Sequence, residues 1–446
     1  MAKSRRAAGP RSKSSPASTL ALFGGRKAVT RGCPPWPLID ASVVRAVTRA
    51  LQHESLSPLR GGLPGRFEQR FARYHGRKYA IMVNGGTAAL HLALAAAGLE
   101  PGDEVITSPY SWGATTGCIL HHNAVPVFAD IHPDTLCLDP TRIAAHITSR
   151  TRAILPVHIF GMPADMTAIL RIAREHDLAV IEDCAQATGA RLRGKLVGSL
   201  GHFGAFSLQA SKNLVAGEGG ILVTNDAKAY QRALAFGVHP VRMRAEIKAP
   251  EIARYIDSLG PNFRPHPLGA AIAEAQLGSL GRWIRDKSRN FARLFRRVRG
   301  IVELCGADFL RRNKGTVHGF HMAPLRIVHP NLKRLPQPLI IEALRAEGMP
   351  VGGYVGTLIP LRARFRDLVF YGRGCPWACR HALRLPDYGP GNWPVAEELC
   401  ARGEIILFGN CYRPAAKLMD EYAAAIEKLV DNLDRLRAEA ERRAGS

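Results

Sequence analysis

Short apolar runs separated by polar turns dominate the first half of the chain. Tyr79–Val83, Glu104–Ser108, Ala124–Asp130 and Thr151–Val157 each read as a strand, and the apolar stretches ending at Asp183 and Ser207 and the run Ile221–Thr224 continue the series. Helical patterns fall between them. Thr87–Leu94 is a good helix-former, and Asp165 caps a helix to His176 with Met166, Ile169, Leu170 and Ala173 on one face. Strand and helix in alternation imply a mainly parallel sheet covered on both sides. Upstream, Phe67, Phe71 and Tyr74 recur at helical spacing, after a glycine-rich stretch, Arg60–Gly65, that reads as a flexible loop. Beyond Asp226 the pattern loosens. Pro338–Glu347 reads as a helix with Leu339, Ile340, Ala343 and Leu344 inward, and Glu421–Leu436 as one closing helix with Tyr422, Ala425, Ile426, Leu429 and Leu433 as its stripe. The expected organisation is a tail over residues 1–19, a large domain over 20–260 and a smaller carboxyl-terminal α/β domain over 261–446.

Lys212 stands between two of the predicted strands, in Ser207-Leu208-Gln209-Ala210-Ser211-Lys212, with Gly217-Glu218-Gly219-Gly220 after it. Burial there disfavours the ammonium form and makes the amine a usable nucleophile. A lone loop lysine is ordinarily just a surface residue. The upstream stretch Glu182-Asp183-Cys184-Ala185-Gln186 alters that weighting, because it sets a carboxylate and an amide at the end of another apolar strand. A pyridoxal phosphate site needs a lysine for a Schiff base and an acid facing the ring nitrogen. Asn84-Gly85-Gly86-Thr87, between strand and helix, is a usual way to build an anion site, though it serves equally as a plain helix cap.

These stretches resemble those of the DegT/StrS-type aminotransferases, enzymes of the aspartate-aminotransferase fold that aminate keto sugars and cyclitols. The resemblance runs from about Leu20 to about Leu433 and is densest from Phe67 to Asp226. It implies the type I pyridoxal-phosphate transferase fold, an α/β architecture, with pyridoxal 5'-phosphate as cofactor. It implies that Lys212 forms the Schiff base and Asp183 faces the pyridine nitrogen. Gln186 matches a glutamine beside the phenolic oxygen, and Trp112 an aromatic that stacks on the ring. Thr87, Ala88 and Ser207 match phosphate ligands, and His158 a histidine after its strand, for which a structural role outweighs proton transfer. Asn262-Phe263-Arg264 resembles an Asn-Tyr-Arg motif whose asparagine reaches the neighbouring subunit's phosphate, which implies a homodimer with shared sites. Glutamate or glutamine is the implied donor, and a keto sugar or keto cyclitol the acceptor. Ser-Leu-Gln-Ala-Ser-Lys leans towards the cyclitol and aminobenzoate-forming members. Where a Pro-Leu-His turn is common, this chain has Pro360-Leu361-Arg362, and Arg362–Gly391 departs from the pattern.

Composition narrows the alternatives. With 446 residues and 46% hydrophobic content the chain can build a large core, and no apolar run reaches the roughly 18 residues a membrane helix needs. Nine scattered cysteines without a Cys-x-x-Cys read as neither a metal site nor a disulfide framework, which favours a reducing, cytoplasmic setting. The net charge of +24 is unusual. Surface composition without a partner explains it first and attraction of anionic substrates second. No nucleic-acid-binding signature accompanies it, so no specific nucleic acid is expected. Met1–Ser18 is basic and acid-free, a disordered-tail composition that also resembles a transit peptide, and the arginines from Arg282 to Arg299 read as a solvated helix face. Two rival functions remain: a regulatory or binding protein on the same fold, and a dehydratase in which a histidine replaces the lysine. Lys212 opposes the second directly.

Overall fold

The computed structural model describes residues 18–383, 385–409 and 411–445; most of the expected basic tail therefore lies outside the described residues. The large sheet is built from β1 (Tyr79–Val83), β2 (Glu104–Thr107), β3 (Val125–Phe128), β4 (Thr151–Leu155), β5 (Ala179–Asp183), β8 (Phe203–Ser207) and β9 (Gly220–Thr224); β6 (Arg191–Leu192) and β7 (Lys195–Leu196) form a small separate hairpin. The strand order is β1-β9-β8-β5-β4-β2-β3. The pairings β2–β3, β2–β4, β4–β5 and β5–β8 are parallel, while β9 runs antiparallel to both β1 and β8. Nearly every strand residue is buried, as a sheet with helices on both faces requires.

The helix Met166–Glu175 shows how local rules and packing share the work. Asp165 caps it by accepting from the Ala168 N–H, as its sequence position implies. Its buried face is Met166, Ile169, Ile172 and Ala173, so Ile172 takes the core place expected of Leu170, which is only half-buried. The expected loop at Arg60–Gly65 is shorter than its glycines suggested, because Gly62–Tyr74 is one helix, entered through Gly61 and Gly62 at positive φ. Phe67 and Phe71 on it are fully buried.

A second sheet, wholly antiparallel in the order β10-β11-β13-β12, comprises β10 (Val302–Leu304), β11 (Ala323–Ile327), β12 (Val351–Gly352) and β13 (Ile405–Leu407). Its core takes Leu339, Ile340, Ala343 and Leu344 from the helix Gln337–Ala346, and Leu20 and Val29 from the amino-terminal strap. The closing helix is in fact two, Ala416–Asp431 and Leu433–Ala444. Asn432 sits at the break, with its side chain bonded to Ser18 O and Leu20 N, so a contact with the other end of the chain occupies the point where continuous helix was expected. The segment Ile359–Trp393 packs back on the large sheet through Phe365, Trp377, Tyr388 and Trp393.

Candidate active site

All the parallel strands of the large sheet end on one edge, the edge at which open α/β sheets bind ligands. β5 ends there in Asp183 and its neighbour β8 in Ser207, with Asp183 in register with Ala205. β2 leads there into Pro109–Trp112, and β1 into Asn84-Gly85-Gly86. β9, running the other way, starts there at Gly220. Lys212 lies in the turn joining β8 to β9, its N–H bonded to Gln209 O at 2.8 Å and its carbonyl accepting from Trp36 Nε1 at 3.1 Å.

Lys212 and Asp183 carry the electrostatics. Burial pushes the Lys212 amine below its ordinary value, against the charges of Asp183 and Glu218. Burial likewise raises the Asp183 carboxyl, against the Ala185 N–H, the Thr115 hydroxyl and the Lys212 charge. Thr115 Oγ1 donates to Asp183 Oδ2 at 2.8 Å, and Ala185 N–H to Oδ1 at 3.0 Å. The acid and the amine therefore sense each other across the strand ends, and burial disfavours the charged form of each.

The helix Gly86–Ala96 brings its amino terminus to the same edge with no side-chain cap. Its first N–H groups, including those of Thr87 and Ala88, lack intrahelical acceptors and are free to meet an anion. Gly86 is required there: a Cβ on it would lie 2.8 Å from Ser207 Cβ. Trp112 is 67% exposed, a large open ring face at the mouth of the site.

Gln186 is placed differently from the simplest expectation. Its Oε1 accepts from Phe160 N–H at 2.7 Å and its Nε2 donates to Tyr354 Oη at 2.8 Å, so it already ties two segments together. His158 has the structural position expected of it, bonded to Glu182 at 3.0 Å and accepting from Ala164 N–H at 3.0 Å. His158, Glu182 and Cys184 are close enough to suggest a metal cluster. Glu182, however, also accepts from the N–H groups of Gly198, Leu200 and Gly201, which occupy the lone pairs an ion would use. Asn262 is exposed, its Oδ1 bonded to Arg264, and the Phe263 carbonyl beside it accepts from Asn84 N–H.

Several residues at the site were invisible in the sequence. Thr115 and Tyr354 carried no signal beyond a threonine in an apolar helix and an aromatic after two glycines. Lys287 lies within the stretch Arg282–Arg299 expected to be a solvated helix face, and for it that expectation fails. Its Nζ is buried beneath the Lys212 turn, donating to Asn213 Oδ1 at 2.7 Å and Phe320 O at 3.1 Å, and burial pushes it down to about 7. The arginines around it are exposed as expected, with Arg293 and Arg297 paired to Asp420 and Glu427. At the mouth, the divergent turn is anchored by Ile359 N–H to Pro109 O at 3.0 Å, which brings Arg362 within 3.6 Å of the position a Cβ on Gly113 would take.

The family model of the DegT/DnrJ/EryC1/StrS aminotransferase family matches residues 37–388. An L-glutamine:2-deoxy-scyllo-inosose aminotransferase from Streptomyces lividus is 45% identical over 340 residues, covering 74% of this chain and 79% of that protein. A pleiotropic regulatory protein from Geobacillus stearothermophilus is 38% identical over 329 residues, covering 72% and 83%. Among solved structures, that of 3-amino-5-hydroxybenzoic acid synthase superposes with a TM-score of 0.75 at 28% identity, covering 91% of this chain and 99% of that one.

Proposed function

The chain belongs to the DegT/DnrJ/EryC1/StrS aminotransferase family, and from that premise we propose that it is a pyridoxal-phosphate enzyme moving an amino group from glutamine or glutamate to a keto cyclitol, with a keto sugar as the alternative acceptor. The observation that carries this reading is the placement of half-buried Lys212, in the turn after β8, and buried Asp183, at the end of β5, on one sheet edge, where each charge acts on the other.

The residues present fit the cofactor. The uncapped helix terminus at Gly86–Ala88, with Ser207 packed against it so closely that only glycine is tolerated, is a cradle for a phosphate. Thr87, Ala88 and Ser207 would hold that group, Asp183 would face the ring nitrogen, Gln186 would lie beside the phenolic oxygen, the exposed face of Trp112 would cover the ring and Lys212 would attach it. Pyridoxal phosphate, when bound, supplies an electron sink for bonds at the donor's α-carbon.

The chain's own groups do the rest. Asp183 holds a proton at the ring nitrogen, and the Thr115 and Ala185 hydrogen bonds favour its charged form against burial. Burial lowers Lys212 and so favours the neutral amine, the form that takes a proton from the donor's Cα and returns it elsewhere. Tyr354, raised to about 12 by burial, stays a neutral hydroxyl that fixes Gln186. Asn262, exposed and turned to Arg264, is read as serving the partner's site in a homodimer. The unpaired cysteines support a cytoplasmic setting; among the described residues no helix is long and apolar enough to cross a membrane.

The test is turnover of the purified protein with glutamine against 2-deoxy-scyllo-inosose-type keto cyclitols and nucleotide-linked keto sugars. Amination of the cyclitols at a higher kcat/KM supports the reading. Amination of the sugars alone moves it to the alternative acceptor, and no amination of either overturns it.

A further inference from the structure

The amino-terminal strap is tied down by a thin row of contacts. Val29 N–H bonds Glu347 O, the N–H groups of Ala21 and Ala28 bond the Glu347 carboxylate, and those of Thr30 and Arg31 bond Glu421. Pro35 O accepts from Tyr412 Oη at 2.8 Å, and the next residue, Trp36, reaches the carbonyl of Lys212. Between these two regions sits a thiol pair. Cys33 Sγ lies 4.0 Å from Cys411 Sγ and 3.0 Å from Tyr422 Oη, although the two cysteines are 378 residues apart. Room for the Cys33 sulfur is made by Gly409, at φ +120°, where a Cβ would come within 2.8 Å of it.

We propose that Cys33 and Cys411 form a reversible disulfide in response to a hydroperoxide, fastening the strap that holds Trp36 against the Lys212 turn. The chemistry suits this pair over the other cysteines. The hydrogen bond with Cys411 draws the Cys33 thiol below its ordinary value, against burial and with help from Tyr422. Burial raises Cys118, Cys137, Cys184 and Cys305 and keeps them as inert thiols; Cys411 is raised too, by its hydrogen bond with Cys33 and by burial, so Cys33 is the thiol that meets the peroxide and Cys411, 4.0 Å away, the one that resolves it. The Cys33 thiolate attacks one oxygen of hydrogen peroxide, the O–O bond breaks, and the departing hydroxide takes a proton to become water. The Cys411 sulfur then displaces the hydroxyl from the Cys33 sulfenic acid, forming the S–S bond and releasing a second water. Two thiols lose two protons and two electrons, and one peroxide is reduced. A thiol reductant reverses the bond by exchange. Since a cross-link removes the freedom of the ends it joins, the oxidised strap cannot peel away and the Trp36–Lys212 bond persists. The bond itself is independent of the proposed cofactor chemistry; its consequence at Lys212 rests on it.

The experiment treats the full chain, loaded with pyridoxal phosphate, with hydrogen peroxide, followed by alkylation, digestion and mass mapping. The expected product is a Cys33–Cys411 linked peptide pair, with loss of two of the nine titratable thiols in denaturant and full reversal by dithiothreitol. Oxidised protein should release bound cofactor more slowly on dilution than reduced protein. Cys33→Ser and Cys411→Ser should each abolish both changes while keeping the reduced protein's activity. Linkage of Cys375 to Cys379 instead, or over-oxidation of Cys33 with Cys411 left free, overturns the pairing. A linked pair with unchanged cofactor release overturns the fastening. A chain that takes up no cofactor yet forms the link counts against the proposed function and not against the thiol pair, because the peptide map reads the bond directly.

Discussion

Thr115→Val removes one hydroxyl from beneath Asp183 while keeping the side chain's shape. Thr115 is buried, and its Oγ1 is shared between Asp183 Oδ2 and Ser111 Oγ, each at 2.8 Å. Asp183 then keeps only the Ala185 N–H at 3.0 Å among its close donors. A hydrogen bond to a charged group is worth about 1.5–3 kcal/mol. Losing it removes one of the bonds that favour the charged form, so the carboxyl rises further. The direction adds to the effect of burial, which already raises Asp183. The carboxylate that should meet the ring nitrogen is therefore lost at higher pH. The assay is pyridoxal phosphate affinity by absorbance titration from acid to mildly alkaline pH. The acidic limb of the variant should move to higher pH than in wild type, with affinity at the acid end about tenfold or more weaker and converging on the alkaline side. Thr115→Ser, which keeps the hydroxyl, should leave the limb in place. A folded Thr115→Val with an unmoved limb, or one moved to lower pH, would refute Asp183 as the acid at that atom.

Other expectations follow from single contacts. Gly86→Ala places a Cβ 2.8 Å from Ser207 Cβ and 3.2 Å from its Cα; it should cost about 1–3 kcal/mol in denaturant unfolding and weaken cofactor binding, and neutral effects on both would show the cradle is looser than described. Glu68 accepts from both Arg242 Nη atoms, at 2.9 and 2.8 Å, and from Met82 N–H; Glu68→Leu leaves the buried Met82 N–H without its acceptor and Arg242 held by Glu246 and Tyr230, and should lose about 1.5–3 kcal/mol, whereas a loss below about 1 kcal/mol is what an exposed pair would give. Burial holds His75 down at about 4 from 6.5. The unfolded chain therefore takes up that proton first, so stability is full above pH 6.5 and falls as the pH drops towards 4, by about 3 kcal/mol for this residue; His75→Phe should flatten that part of the stability–pH curve, and an unchanged slope would contradict it.

The strands and the two central residues were legible because they depend on local pattern. A run such as Tyr79–Val83 announces itself by composition, and β1 occupies those residues. Lys212 and Asp183 could be singled out because each ends or follows an apolar run, so the sheet's own topology delivers both to one edge. What stayed hidden depends on distant contacts. Lys287 shares its stretch with exposed arginines, and only the packing of Asn213 and Phe320 over it makes it a buried amine. Thr115 carries no signal of its own, because its role depends on the end of β5 lying within hydrogen-bonding distance. Asn432 breaks the last helix through bonds to Ser18 and Leu20, more than 400 positions away, which no window of sequence contains. Gln186 was expected at a cofactor atom, and its two bonds to Phe160 and Tyr354 show that the same amide also serves as a brace.

The central claim is that Lys212 is the amine that carries the cofactor. Borohydride reduction of the protein loaded with pyridoxal phosphate, followed by peptide mass mapping, tests it most directly, because a second buried amine, Lys287, lies just beneath the same turn. The account predicts a single reduced cofactor adduct on Lys212, absent from Lys212→Ala, whose turnover falls by several powers of ten at about 1.4 kcal/mol for each. An adduct on Lys287 or any other lysine, with transamination kept in Lys212→Ala, would contradict it.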